Sequence, residues 1–249
     1  MHIDASIFKA YDIRGIVDKT LTTEAAFAIG QALGSLAKSK GVDTMCVGRD
    51  GRLSGPKLAD SLMQGITDQG INVKSIGLTP TPVLYFATVL TNTGSGVAVT
   101  GSHNPPEYNG LKMMMAKETL FGDGIQALRA DIEKGIESSK HKGAIEEIDV
   151  ITPYLEKVTS DVKLTRPMKV AIDCGNGVTG PLATELFKRL GCEVTALFTD
   201  IDGDFPNHHP DPSKPANLKD LIECVQNSDV ELGLAFDGDG DRLGVVTKS

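Results

Sequence analysis

Apolar positions along the chain follow two alternating rhythms. From Thr23 onward, Ala26, Ile29, Leu33 and Leu36 recur at steps of three and four, which predicts a helix with one apolar face, Thr23 as its N-cap and Gly41 as its stop. Thr44 to Gly48 is a short apolar run of strand length. Pro56 then opens a second helix with Leu58, Leu62 and Ile66 on one face, closed by Gly70. Ile71 to Ile76 reads as the next strand, and Thr79 to Pro82 as a stiff turn that leads into a short helix. A further strand ends at Thr100, and a last helix of this part carries Ile125, Leu128, Ile132 and Ile136. Helices alternating with short apolar runs predict a layered α/β fold.

The polar stretch from Ser138 to Val150 breaks this rhythm and marks a domain boundary, giving domains 1–148 and 149–249. Beyond it come a helix around Tyr154 to Val162, a strand from Met168 to Asp173, a helix ending at Gly191, a strand from Cys192, a helix from Asn217 to Asn227 and a strand ending at Phe236. This second part repeats the first. Each has a strand, a turn ending in Gly-Pro (Gly55-Pro56 and Gly180-Pro181), a helix, a second strand, a helix and a third strand. The pattern predicts two similar three-layer α/β/α domains with mixed, mostly parallel sheets. In each, the third strand runs into a polar loop, TGSHNP in the first and DGDGDR in the second. Both loops should lie at the carboxyl ends of parallel strands, where open α/β sheets place ligands.

Composition narrows the partners. The 249 residues include 25 Lys and Arg against 33 Asp and Glu, for a net charge of −8. Such a chain has no general attraction to nucleic acid or anionic lipid, so neither is expected as a partner. Cys46, Cys174, Cys192 and Cys224 form no CxxC pair and sit in apolar contexts, which fits buried thiols in a reducing compartment. The first residues lack the apolar stretch of a secretory signal, and no apolar run approaches the ~18 residues of a membrane helix. A soluble, cytoplasmic location is expected.

Two loops concentrate the chemistry. Asp237, Asp239 and Asp241 alternate with Gly238 and Gly240 and are followed by Arg242. Carboxylates two apart on an extended loop point the same way, and the glycines let the backbone curl, so three hard oxygens can converge on Mg2+. An EF-hand is excluded, because Arg242 stands where its glycine belongs and Lys248 where its bidentate glutamate belongs. In TGSHNPPEYNGLK, Ser102 follows a glycine turn at a strand end, which should present its hydroxyl in the open, flanked by His103 and Asn104, with the loop folding Lys112 back towards it. A Ser-His-Asp hydrolase is disfavoured, since adjacent Ser and His cannot readily form the serine–base bond and no G-x-S-x-G is present. His103 as a phosphohistidine carrier is an alternative.

Three further features compete. Gly175, Gly177 and Gly180 form G-x-G-x-x-G between a strand and a helix, with Asp200 twenty residues on, the paper requirement of an NAD-dependent oxidoreductase. Tyr11 and Arg14 form a polar patch beside Gly15, or simply the start of a strand. His208, His209 and Asp211 sit in a proline-rich loop whose adjacent histidines should point apart, which favours a rigid loop over zinc.

Taken together, YDIRG, TGSHNPPEYNGLK, FPNHHPDP and AFDGDGDR, in this order, resemble the α-D-phosphohexomutases, most closely the bacterial phosphomannomutase/phosphoglucomutase branch. Gly101 before the serine favours that branch over phosphoglucosamine mutases, which usually carry alanine there. The resemblance implies a phosphoserine at Ser102 that interconverts hexose 1-phosphate and hexose 6-phosphate through a hexose 1,6-bisphosphate. It implies Mg2+ held by Asp237, Asp239, Asp241 and a phosphoryl oxygen on Ser102. It assigns proton transfer to Lys112 and Arg14, orientation of the reacting group to His103, and the pocket lining to Tyr11 and Arg242. Residues 1–148 then form the phosphoserine domain and 149–249 the metal-binding domain. Family members are longer, with a third domain that reads the sugar and a fourth that clamps its phosphate. The resemblance therefore implies the N-terminal half of a mutase, with C-terminal domains missing and little turnover by itself.

Overall fold

A computed structural model describes residues 3–248. The first sheet is built from β1 (Ile13–Ile16), β2 (Thr44–Arg49), β3 (Asn72–Leu78), β4 (Gly96–Val99), β5 (Tyr108–Met115) and β7 (Ile145–Glu147) in the order β1-β5-β4-β2-β3-β7, with β6 (Glu118–Thr119) hairpinned onto β5. The β4, β2, β3 and β7 strands run parallel, while β5 is antiparallel to both β4 and β1. The second sheet has β8 (Lys169–Asp173), β9 (Glu193–Leu197), β10 (Leu232–Phe236) and β11 (Leu243–Val246) in the order β11-β10-β8-β9, with only β11 antiparallel. The order β5-β4-β2-β3 thus recurs as β11-β10-β8-β9 with the same strand senses, and the repeat read from the sequence is a repeat of topology.

Helices cover both faces. On the first sheet, α1 (Thr23–Ser39), α2 (Gly55–Asp68) and α4 (Asp123–Lys134) enclose one core with Ile29, Leu33, Leu58, Leu62, Ile125 and Leu128 fully or nearly fully buried. On its other face lies α3 (Thr81–Leu90), which shares a core with α5 (Ile151–Asp161) and with Leu182 of α6 (Gly180–Arg189). That second core therefore joins the two sheets' layers. A final helix, α7 (Lys219–Asn227), packs Leu221 and Val225 under the second sheet.

Several local expectations change. The α1 cap is Thr22, whose hydroxyl accepts from the Ala25 amide at 3.2 Å; Thr22 is the last extended residue, the position from which a side chain reaches the third helical N–H. The α3 helix already begins at Thr81, inside the expected turn, because Pro82 is tolerated in a first turn. Gly135, at φ +86°, ends α4 before Ile136. The polar stretch 138–150 is not all linker, since β7 adds to the first sheet beside β3. Tyr108–Met115, expected as a returning loop, is an interior strand of the sheet, paired with β1 on one side and β4 on the other. Among the described residues, no helix is long and apolar enough to cross a membrane.

Candidate active site

Strand alternation places the first part of the site. Along β5, Leu111, Met113 and Met115 point into the core under α1 and α2, so Lys112 points to the opposite side, towards α3. The lysine is delivered by an interior strand, not by a folded-back loop. In β1, Arg14 sits opposite Gly110 of β5 and donates to the Thr100 carbonyl at 2.9 Å while pairing with Asp12 at 2.5 Å. Tyr11 is 79% exposed at the rim.

Ser102 follows β4 by three residues and has φ +48°, in the left-handed region that costs a residue with a Cβ. It is only 2% exposed, against the expectation of an open hydroxyl. The loop after β10 closes over it. Ser102 Oγ donates to Asp237 Oδ2 at 3.0 Å, and a Cβ on Gly238 would stand 2.5 Å from the Ser102 carbonyl oxygen. The serine still borders a cavity of about 250 Å³, which it shares with Tyr11, Arg14, Tyr85, His103, Lys112 and Arg242.

The three aspartates converge as their spacing suggests. Asp237 and Asp239 are fully buried, Asp241 is exposed, and one carboxylate oxygen from each lies within 4.8 Å of the others. Asp237 Oδ1 accepts from the amides of Asp241 and Arg242, which fixes the curl of the loop. Asp239 Oδ2 accepts from Thr81 Oγ1 at 2.6 Å and from Lys112 Nζ at 2.7 Å, and Lys112 also reaches Asp241 at 2.5 Å. Asp239 Oδ1 is buried with no hydrogen-bond partner. Burial, and then repulsion from Asp239 and Asp241, pushes the Asp237 carboxyl up to about 7. Burial works against charge on Lys112, but Asp239 and Asp241 outweigh it and hold the amine above its ordinary range. Hard oxygens, mutual repulsion and an orphaned buried acceptor fit a divalent cation, which reverses the local repulsion when bound.

His103 connects the two loops. Its Nδ1 lies 2.7 Å from Arg242 Nη1 and 3.4 Å from Ser102 Oγ, so the ring faces the serine more closely than adjacency suggested. Burial, then the Arg242 charge, lowers its proton affinity. From the proline-rich loop, His209 Nε2 bonds the His103 carbonyl, whereas His208 turns away to the Asp173 carboxylate at 2.9 Å and Asp211 accepts from Ser213. These side chains point to separate partners. Among the described residues the Asp237, Asp239 and Asp241 group is the one cluster with metal-ligand spacing.

The glycine-rich turn is filled from within. A Cβ on Gly177 would lie 3.0 Å from the Gly238 carbonyl oxygen and one on Gly180 would lie 1.9 Å from that of Thr199. The amides of Asn176, Gly177, Val178 and Gly180 all donate to the chain's own carbonyls, of Phe198, Cys174, Gly238 and Gly177. A turn whose amides are already satisfied has none to offer a dinucleotide pyrophosphate. Its glycines instead let the aspartate loop pack closely.

Sequence reading missed Thr81, Tyr85 and the pair Asp50 and Arg52. The signal available for the last was the repeat, because Asp50 directly follows β2 much as Asp173 ends β8, and both are buried aspartates that accept an amide two residues on.

Comparison with known proteins accounts for both halves. The family model for phosphoglucomutase/phosphomannomutase alpha/beta/alpha domain I matches residues 5–142, and that for domain II matches residues 152–249. A phosphoglucomutase of Neisseria meningitidis serogroup B is 57% identical over 247 residues, covering 99% of this chain and 54% of the relative. A phosphomannomutase/phosphoglucomutase of Pseudomonas aeruginosa is 53% identical over 247 residues, covering 99% and 53%. The crystal structure of a phosphoglucomutase/phosphomannomutase family protein from Burkholderia thailandensis superposes with a TM-score of 0.95 at 52% identity, covering 99% of this chain and 56% of that one. The chain spans about half the length of the curated relatives it matches. With its two halves matched in the order in which the serine loop and the aspartate loop occur, this chain belongs to the phosphoglucomutase/phosphomannomutase family.

Proposed function

We propose that this chain carries the phosphoserine and metal-binding half of a phosphohexomutase acting on mannose or glucose phosphates, with residues 1–148 presenting the serine and 149–249 the metal site. The observation that carries the reading is the hydrogen bond from Ser102 Oγ to Asp237, which joins the two loops across the two sheets. Phosphoryl transfer needs alignment and neutralised oxygen charge more than covalent assistance, and this site is rich in both. Asp237, Asp239, Asp241 and an oxygen of phosphorylated Ser102 would hold Mg2+. When bound, that cation draws charge from the phosphoryl oxygens.

The sugar hydroxyl attacks the phosphorus on Ser102, the Oγ–P bond breaks, and the hydroxyl proton ends on Ser102 Oγ. Lys112 and Arg14 border the cavity beside the serine and are assigned to that proton's route. Held as an ammonium between two carboxylates, Lys112 is set to give a proton to the leaving oxygen in one direction and take it back in the other. His103 and Arg242 orient the incoming group, and Tyr11 lines the rim. The sugar-reading and phosphate-clamping parts belong to the length that this chain does not share with its relatives.

Incubation of the chain with glucose 1,6-bisphosphate and Mg2+ should add the mass of one phosphoryl group on Ser102, read by intact-mass and fragment spectrometry, and none in Ser102→Ala. Labelling elsewhere, or undiminished labelling in Ser102→Ala, overturns the assignment.

A further inference from the structure

The turn after β2 carries a guanidinium into the interior. Arg52 is 1% exposed and is the bulkiest of the fully buried side chains, and its ion-pair partner Asp50 is 2% exposed. One carboxylate at 3.3 Å does not offset the desolvation of a buried arginine. The backbone of the serine loop supplies the rest. Arg52 Nη1 donates to the carbonyls of Pro105 and Tyr108 at 2.6 and 2.9 Å, and Nη2 to those of Ser102 and Asn104 at 2.9 and 2.6 Å. The Phe205 ring, from the second half, lies over the guanidinium at 5.3 Å.

Asp50 fixes the other end of the same loop. Its Oδ2 accepts from Thr100 Oγ1 and from the Gly101 amide, both at 2.9 Å, and Thr100 Oγ1 accepts from the Ser102 amide at 2.8 Å. Neither Asp50 nor Arg52 borders the cavity that Ser102 borders. A left-handed serine costs on the order of 1–3 kcal/mol and persists only where its surroundings over-determine it.

We propose that Arg52, oriented by Asp50, is the positioning residue of the phosphoryl-carrying serine: it gathers four carbonyls of residues 102–108 and so keeps Ser102 in its left-handed conformation with Oγ at the aspartate loop. The consequence for phosphoryl transfer rests on the reading of Ser102 as carrier; the consequence for the loop's conformation does not. Lysine cannot replace the arginine, because an ammonium is a point charge with three donors and lacks the planar fork that spans the carbonyls.

The test compares the chain with Arg52→Lys, which keeps a cation beside Asp50, by amide exchange and by phosphoryl uptake from glucose 1,6-bisphosphate. In Arg52→Lys the amides of residues 100–108 should exchange at least about tenfold faster while the sheets and helices keep their protection. The maximal rate of Ser102 phosphorylation should fall about a hundredfold with the bisphosphate concentration at half-maximal rate unchanged, since the cavity lining is intact. Loop protection and rate both within about twofold of the parent, or a uniform loss of protection across the chain, overturn the proposal. Should Arg52→Lys not fold, Gly101→Ala displaces the guanidinium without removing a charge, because its Cβ would lie 2.0 Å from Arg52 Nε, and the same outcomes decide. If the parent takes up no phosphoryl group, the carrier reading fails and amide exchange alone decides on Arg52.

Discussion

Asp239 ties the two halves of the chain together at a single side chain. Its backbone carbonyl accepts from the Thr81 amide, and one carboxylate oxygen is shared by Thr81 of α3 and Lys112 of β5. Its other oxygen has no partner. Burial raises the cost of charge on Asp239, yet Lys112 and Thr81 outweigh it and hold the carboxyl below its usual range. It is therefore ionised and aimed at its neighbours, as a ligand should be. Asp239→Asn should weaken Mg2+ or Mn2+ binding by at least about a hundredfold, beyond the ten- to hundredfold that loss of a supporting hydrogen bond costs at metal sites. Calorimetric titration of both proteins measures it, and equal affinities would remove Asp239 from the ligand set. The aspartates were legible because alternation with glycine is a local pattern. Arg52 was not, because an arginine is read from sequence as a solvated residue, and only the convergence of carbonyls from a distant loop reveals its burial.

At the scale of elements, the crossing of α1 and α2 is set by two glycines. A Cβ on Gly65 would lie 2.1 Å from the Phe27 carbonyl oxygen and 3.0 Å from the Gly30 Cα, and one on Gly30 would lie 2.3 Å from the Leu62 carbonyl oxygen. Backbone meets backbone, and no side chain stands between to yield. On propensity alone, Gly65→Ala should stabilise α2 by about 1 kcal/mol. The contact reverses that sign. Forcing the helices apart should give a net destabilisation of about 1–3 kcal/mol, read by urea denaturation, whereas a stabilised variant would show that the helices slide freely. Elements with strong periodicity, such as α1 and α2, were legible to within a residue or two. The β5 strand was not, because its alternation begins inside the loop motif and Asn109 and Gly110 obscure it. The β7 strand, with all three residues exposed, has no apolar face to announce it and is defined only by its partner.

The whole molecule is two copies of one plan turned towards each other. In each copy a buried aspartate at the end of the first parallel strand accepts an amide two residues on and binds a cationic side chain: Asp50 holds Arg52, and Asp173 holds His208. Arg52 secures the serine loop. His208 secures the loop that brings His209 to the His103 carbonyl and Phe205 to Arg52. The second pair differs from the first in that its cation titrates. Burial opposes charge on His208, but the Asp173 hydrogen bond and the His209 carbonyl outweigh it, so its proton is held above the ordinary histidine range. A group whose affinity for its proton rises on folding stabilises the fold fully below its unfolded pKa, about 6.5, and loses that contribution as pH climbs through the folded value. The stability gap between the chain and His208→Gln should therefore be widest near pH 5.5, at about 1.5–3 kcal/mol for a charge-assisted hydrogen bond, and should shrink at alkaline pH. Urea denaturation of both proteins across that range measures the gap. A gap that grows with pH would mean that neutral histidine is the form the fold prefers, and that the second aspartate does not work as the first one does.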